Sequence, residues 1–212
     1  MRHHREKGWD YRGRAIYHFT LPVEGRYPLF GTLEGESAET AFVRLNSFGQ
    51  RVCQMLSGLA QFYKEKGYTL KVLAQMVMPD HVHLVIQVLE PLPQSIGAVV
   101  RGFKSGCTKV YKEEYYCSGE NATELHSDVP VHFVRIFADR GSIWQQDAAY
   151  YHERILHAQG QLSRMIDYVK DNPRRLWLKR QNPELFRMHR ETMLYGLPFT
   201  SLGNHFLLDW PD

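Results

Sequence analysis

Two histidines stand one residue apart in the segment MPDHVHLVIQV, residues 78–88. The rest of this run is apolar and β-branched, which is typical of a buried strand. Because side chains alternate faces along a strand, His81 and His83 project to the same side, about 6 to 7 Å apart. Two imidazoles in this position could bind one divalent metal ion. The alternative is that each is an ordinary hydrogen-bonded strand residue.

A second pair of polar side chains lies in the segment MIDYVKDNPRRLWL, residues 165–178. Tyr168 and Asn172 are four residues apart, so on a helix they stack on one face. Their phenolic and amide oxygens could approach the same ion or the same phosphate. Each residue also has a structural interpretation, Tyr168 as a half-buried aromatic and Asn172 as a helix-end residue before proline.

Hydrophobic periodicity predicts the elements that must position these residues. In chain order they are a strand over 15–21, a helix over 36–65, a hairpin of strands 68–78 and 81–89, a helix over 95–114, a polar loop over 117–130, a strand over 131–138, a weaker strand over 150–157 and a helix over 160–171. The last helix should end near Asn172, because Pro173 disfavours helical geometry at the residue before it. This order predicts an α+β fold, a mainly antiparallel sheet with helices packed on one face.

Composition limits the class of protein. A chain of 212 residues with 43% hydrophobic and 23% charged residues suits a globular domain. No window approaches the roughly 18 consecutive apolar residues of a membrane span, and no secretion signal is visible. The cysteines lack a C-x-x-C pattern, which favours reduced thiols. We therefore expect a cytoplasmic protein without a membrane partner.

The combined motifs resemble a known family. MPDHVHLVI, followed by WQQDAAYYHERI and MIDYVKDNPRRLWL, is similar to the single-tyrosine HUH transposases of bacterial insertion sequences, and most of all to the REP-associated tyrosine transposases. HUH denotes histidine, a bulky hydrophobic residue and histidine, here His81, Val82 and His83. The Y-x-x-x-N/Q helix of the family matches Tyr168 and Asn172. The resemblance spans residues 15–179.

The resemblance implies a ferredoxin-like or RRM-like HUH fold and a metal-dependent transposase that nicks and rejoins single-stranded DNA containing a hairpin. Tyr168 would be the catalytic nucleophile and form a 5′-phosphotyrosine intermediate. His81, His83 and Asn172 would bind Mg²⁺ or Mn²⁺. Family members work as monomers or as homodimers that share sites between subunits, and the sequence leaves both alternatives open.

The resemblance also divides the chain into regions. Residues 1–14 would be a basic N-terminal arm and residues 15–180 the transposase domain. Residues 181–212 would be a C-terminal extension, with truncation as one interpretation of its end.

Positive charge is concentrated after Tyr168. The whole chain has a mild net charge of +3, whereas residues 164–190 alone hold eight Lys and Arg against three Asp and Glu. With Trp177 interleaved, this segment suits contact with phosphates and stacking on a base, the alternative being a solvated helix face. The residues that we expect to contact DNA are Arg164, Lys170, Arg174, Arg175, Lys179 and Arg180, together with Arg101 and Lys104 on the second helix.

Two other classes of protein remain open on the sequence. One is a catalytically idle protein of the same fold that binds DNA or RNA hairpins, and the other is a metallohydrolase that uses the histidines and an activated water. Intact His81, His83, Tyr168 and Asn172 favour the transposase over the idle protein.

Overall fold

The computed structural model describes residues 8–113, 137, 140–145, 152–157 and 160–184. Its strands are β1 (Ala15–Pro22), β2 (Gly31–Glu34), β3 (Phe42–Leu45), β4 (Leu70–Met78), β5 (His81–Val88) and β6 (His152–Ile155). Its helices are α1 (Ser47–Ser57), α2 (Leu59–Lys64), α3 (Ile96–Tyr111), α4 (Gln161–Lys170) and α5 (Asn172–Gln181). Among these described helices, none has the length and apolar character needed to cross a membrane.

Four strands form one antiparallel sheet in the spatial order β4, β5, β1, β6. The helices α1 and α2 precede β4, and α3 follows β5, so the chain has the β-α-β-β-α-β order of ferredoxin-like folds. β2 and β3 make a separate two-stranded ribbon. The predicted α+β class with a mainly antiparallel sheet is confirmed.

The two faces of the sheet are covered by different helices. Leu84 and Ile86 are fully buried in the main core, which also contains side chains of α1 and α3. On the other face, Val85 packs against α4 in a smaller cluster. His81 and His83 share this second face with Val85, because alternate residues of a strand point the same way. The expectation of helices on one face holds for α1 and α3, whereas α4 covers the face that carries the histidines.

The predicted helix over residues 36–65 is wrong at its N-terminal end. Residues 42–45 form β3 and pair with β2, and α1 begins after Asn46, whose side chain accepts a hydrogen bond from Gly49 N at 2.8 Å. Phe42 to Leu45 also fit a period of two, and pairing with β2 selects the strand over the helix. The remaining helix is interrupted at Gly58, which separates α1 from α2.

The hairpin that carries the histidines is confirmed. β4 and β5 pair in antiparallel register, with Met78 opposite His81 and Met76 opposite His83, and Pro79-Asp80 makes the turn. β1, α3 and β6 are also found where the sequence predicts them. The predicted loop over 117–130 and most of the predicted strand over 131–138 lie outside the described residues. Phe137, the described residue of that segment, is helical.

The third predicted helix is α4, and it ends at Lys170. A further helix, α5, then starts at Asn172 with Pro173 in its first turn. Proline is well tolerated there because the first N–H groups of a helix have no intrahelical partner. Pro173 therefore ends one helix and begins the next, and Asn172 lies at their junction.

Lys104 is a buried cation on α3. It is 8% exposed, and its Nζ lies 5.9 Å from the centroid of the Trp144 ring. Burial lowers the pKa of Lys104 to about 8. Because Lys104 is buried, its amine is poorly placed to contact a DNA backbone, and we do not expect it to form part of the DNA surface.

We expect Lys104→Met to stabilise the fold by about 1–3 kcal/mol near neutral pH, because the unfolded chain charges this amine more easily than the folded chain does. The folded protein loses the Lys104 proton near pH 8, and the unfolded chain loses it near about 10.4. The unmodified protein therefore gains stability as pH rises through this window, and the advantage of the variant shrinks.

Urea unfolding of Lys104→Met and of the unmodified protein, at about pH 7 and about pH 10, measures the difference between their free energies of unfolding at each pH. Tyr63 and Cys107 have raised pKa values because of burial, but they are the same in both proteins and cancel in the comparison. An advantage of equal size at both pH values would contradict the buried-charge explanation.

Candidate active site

The four side chains singled out by the sequence converge within one chain. His81 Nε2 lies 3.0 Å from His83 Nε2, and the Tyr168 ring centroid lies 5.4 Å from that of His83. The Asn172 side chain lies close enough to His83 to favour the protonated imidazole and so partly oppose the lowering of the His83 pKa. Asn172 Nδ2 also donates to the carbonyl oxygen of Tyr168 at 3.1 Å, so its Oδ1 is the atom that faces His83. The junction between α4 and α5 is thus placed over the start of β5.

Asp80, the last residue of the hairpin turn, fixes the orientation of His81. Its Oδ1 is hydrogen-bonded to His81 Nδ1, and its Oδ2 lies 3.5 Å from Arg26 Nη1. Burial lowers the pKa of His81, although the hydrogen bond and charge of Asp80 raise it in part. A neutral imidazole that donates through Nδ1 keeps a lone pair on Nε2. His81 therefore directs the lone pair of its Nε2 towards the side of the site where His83 Nε2 lies, 3.0 Å away.

His83 is the central residue of the cluster. It is 2% exposed, and its Nδ1 lies 3.1 Å from both His18 Nε2 and Thr20 Oγ1. Burial lowers the pKa of His83 well below its ordinary value, and the neighbouring His81 and His18 lower it further. His83 is therefore neutral near pH 7, which is the form of histidine that binds metals.

The donor atoms fit a small divalent ion. Two ligands at right angles on an octahedral ion, with bonds of about 2.1 Å, are about 3.0 Å apart, and the two Nε2 atoms are separated by 3.0 Å. Within the described residues, no cluster of three His, Cys, Asp or Glu side chains could hold a metal. The third donor would be the Asn172 amide oxygen, and a mixed nitrogen and oxygen set suits Mn²⁺ somewhat better than Mg²⁺.

The Tyr168 ring is enclosed by three charged or polar groups. It meets the rings of His83 and His18 edge-on, with centroid distances of 5.4 Å and 6.1 Å, and the Arg175 guanidinium lies 5.0 Å from its centroid. Met165 and Val169, buried against the sheet, hold α4 in place. A half-buried tyrosine is therefore held beside the histidine pair in a defined orientation.

Among the predicted DNA-contacting residues, Arg175 and Lys179 interact with residues of the site. Arg175 stacks on Tyr168, and the charge of exposed Lys179 acts on His81. Arg174 is ion-paired with Asp171 at 3.1 Å. The other predicted residues on α4 and α5 are exposed: Arg164, Lys170 and Arg180.

Arg101 is separated from this group. It is exposed on α3, which packs on the face of the sheet opposite the histidines. The structure therefore does not bring Arg101 together with Tyr168.

Five functional candidates were not singled out by the sequence: His18, Thr20, Arg26, Asp80 and Arg154. His18 and Thr20 alternate on β1, and their Cα partners on β5 are Val85 and His83. Arg154 of β6 is directly opposite His18, so both side chains share a face. The alternation within β1 was visible in the sequence, but the register that places these residues beside His83 was not.

Comparison with known proteins gives distant relatives. No protein-family model matches the chain. A Haemophilus influenzae relative described as "Uncharacterized protein" is 23% identical over 195 residues, which cover 81% of this chain and 89% of the relative.

Two solved structures are similar in fold. A candidate transposase from Deinococcus radiodurans has 16% identity and a TM-score of 0.42, covering 79% of this chain and 95% of its own. A REP-associated tyrosine transposase bound to a REP hairpin has 15% identity and a TM-score of 0.43, covering 80% of this chain and 72% of its own. At this level of likeness, the function proposed below rests on the side chains of this chain.

Proposed function

We propose that this protein is a metal-dependent tyrosine transposase that nicks and rejoins single-stranded DNA next to a hairpin. The observation that carries the proposal is the convergence of the histidine pair, Asn172 and Tyr168 within one chain. The order and spacing of the sequence motifs also support it, because they resemble those of single-tyrosine HUH transposases.

In the proposed step, the phenolic oxygen of Tyr168 attacks the scissile phosphorus. A bond between that oxygen and phosphorus forms, and the bond from phosphorus to the 3′ oxygen breaks. The tyrosine gives up its proton, and the leaving 3′ oxygen takes one to become a 3′-hydroxyl. The phosphodiester is conserved as a 5′-phosphotyrosine, so a 3′-hydroxyl of another strand can reverse the step without nucleotide fuel.

The metal would be held by His81 Nε2, His83 Nε2 and Asn172 Oδ1. When bound, it polarises a non-bridging phosphate oxygen as a Lewis acid. Asp80 holds the His81 ring through Nδ1 and so keeps Nε2 directed towards the site. The separation of 3.0 Å between the two Nε2 atoms supports this donor set, because it suits two neighbouring ligands of one ion.

The DNA backbone would lie along the histidine face of the sheet. Four cations on or beside this face could contact phosphates: Arg26, Arg154, Arg175 and Lys179. Neutralising phosphates with Lys and Arg releases counterions, so binding should weaken steeply with salt.

Lys179→Ala should weaken hairpin binding and reduce the slope of log affinity against log salt by about 0.9, the value for one lost phosphate contact. Fluorescence anisotropy of a labelled hairpin over a salt series measures both quantities. Lys64→Ala is the matched control, because Lys64 is exposed on α2, which precedes β4 in the chain and contributes to the other face. If Lys64→Ala reduces the slope of log affinity against log salt as much as Lys179→Ala does, the proposed DNA surface is wrong.

The proposed function is tested by incubating the protein with single-stranded hairpin DNA and Mn²⁺ or Mg²⁺. A covalent protein-DNA adduct on a denaturing gel is the expected product. Binding without any cleavage would favour the idle hairpin-binding protein, and cleavage without an adduct would favour a metallohydrolase. A panel of hairpins with different single-stranded flanks is used, because the target sequence is not known.

A further inference from the structure

β1 brings a third imidazole, His18, to the histidine face. His18 is 5% exposed, and its ring lies almost parallel to that of His83, with a centroid distance of 5.2 Å and an interplanar angle of 18°. Its Nε2 is 3.1 Å from His83 Nδ1. Thr20, two residues further along β1, places Oγ1 at 3.1 Å from the same nitrogen.

His18 lies on the wrong side of His83 to bind the same ion. The two ring nitrogens of an imidazole point in different directions, and His83 Nε2 is the nitrogen that faces His81. His18 meets the other nitrogen, Nδ1. Its effect on a bound metal would therefore be transmitted through the His83 ring.

The proton of His83 decides which nitrogen can bind a metal. If Nε2 is to carry a lone pair, the proton of the neutral ring must be on Nδ1 and needs an acceptor. His18 Nε2 and Thr20 Oγ1 are both within hydrogen-bond distance of Nδ1. A neutral His18 that carries its own proton on Nδ1 offers the required lone pair.

We propose that His18 is a positioning residue that accepts the Nδ1 proton of His83 and so keeps His83 Nε2 available as a metal ligand. Because the His18 ring also packs edge-on against Tyr168, with centroids 6.1 Å apart, it holds the ligand and the nucleophile in one arrangement. This inference rests on the metal site of the proposed function, but it does not depend on Tyr168 being the nucleophile.

The experiment measures Mn²⁺ affinity without DNA, from the electron paramagnetic resonance signal of free Mn²⁺. His18→Phe keeps an aromatic ring but removes the acceptor, and it should weaken Mn²⁺ binding by about 10- to 100-fold, the usual effect of losing a group that orients a ligand. His18→Gln should recover most of the affinity, because the glutamine oxygen can accept at nearly the same place.

Two further variants sharpen the result. Thr20→Val should give a smaller loss, and the double variant with His18→Phe a larger loss than either, because both residues accept from one N–H. His157→Phe is the matched control, since exposed His157 follows β6 and its ring packs edge-on against Trp9. It should bind Mn²⁺ as the unmodified protein does.

A merely structural role makes a different prediction. His18→Phe and His18→Gln would then lower the thermal unfolding temperature and hairpin binding in EDTA together with metal affinity, and this outcome would overturn the proposal. Unchanged Mn²⁺ affinity in His18→Phe would overturn it as well, as would an unmodified protein that binds no Mn²⁺. Adduct formation is scored separately, so the role of Tyr168 can fail while the role of His18 holds, or the reverse.

Discussion

Replacing Tyr168 with phenylalanine is expected to abolish the covalent adduct, with a loss of at least about 1,000-fold in its rate of formation. The substitution removes only the phenolic oxygen, and the ring contacts with His83, His18 and Arg175 can all remain. Hairpin binding and Mn²⁺ affinity should therefore change by no more than about twofold, because neither needs the hydroxyl.

The position of the DNA label makes this test specific. A 5′-phosphotyrosine leaves the protein on the fragment downstream of the cut, so a 3′-labelled hairpin should give a labelled adduct. A 5′-labelled hairpin should instead release a shorter free strand that ends in a 3′-hydroxyl. The opposite pattern would mean a 3′-linked intermediate and would contradict the proposed chemistry.

Tyr27→Phe is the matched control for Tyr168→Phe. Tyr27 is also partly buried, but it lies in the segment between β1 and β2 and packs against the main core instead of the histidine face. Its variant should form adduct at the normal rate. Should Tyr168→Phe still form adduct, another side chain must be the nucleophile.

The sequence predicted the histidine pair because a strand has a rigid period of two. His81 and His83 are two residues apart within one hairpin, so their shared face follows from local geometry without any knowledge of the fold. Tyr168 and Asn172 are close for an equally local reason, although the chain turns from α4 into α5 between them. Local spacing was therefore enough to predict that the two side chains of each pair lie close together.

What the sequence could not supply was the relation between distant elements. His18 and His83 are separated by 65 positions and meet through the register of β1 on β5. That register depends on the packing of the whole sheet, and a shift of one residue would turn His18 to the opposite face. The packing of α4 on the face that carries the histidines likewise depends on tertiary structure and not on local sequence.

The ribbon of β2 and β3 was missed for a different reason. β2 is four residues long and begins at Gly31, where φ is 150° and a Cβ atom would collide with the backbone of Arg44. Such a short strand has little hydrophobic pattern, so its pairing with β3 was not visible. Without that pairing, the hydrophobic pattern of residues 42–45 favours an extension of the helix that follows them.

Replacing His83 with alanine is expected to remove both Mn²⁺ binding and adduct formation. His83 is the side chain that meets His81, Asn172 and Tyr168, so its loss removes one metal ligand and the ring that packs between the histidine pair and the nucleophile. Metal affinity should fall by more than the roughly 100-fold that is the upper range for orienting groups. Chelation of the unmodified protein with EDTA should have the same effect on the adduct, and added Mn²⁺ should reverse it.

Because His83 is buried, His81→Ala provides a second route to the same result with less risk to folding. His81 is only partly buried at the end of the hairpin turn, and its loss removes one Nε2 donor. Circular dichroism separates loss of the site from loss of the fold in both variants. Normal Mn²⁺ affinity in a folded His81→Ala protein would show that the histidine pair is not the metal site.

Mixing Tyr168→Phe with His83→Ala tests whether one chain supplies the whole site. The first variant keeps its metal ligands and the second keeps its tyrosine. If sites are shared between subunits, a dimer of the two variants would therefore contain one complete site out of two. The structure brings the four side chains together within one chain. We therefore expect the mixture to form no adduct, and recovery of activity would place the tyrosine of one subunit at the histidines of another.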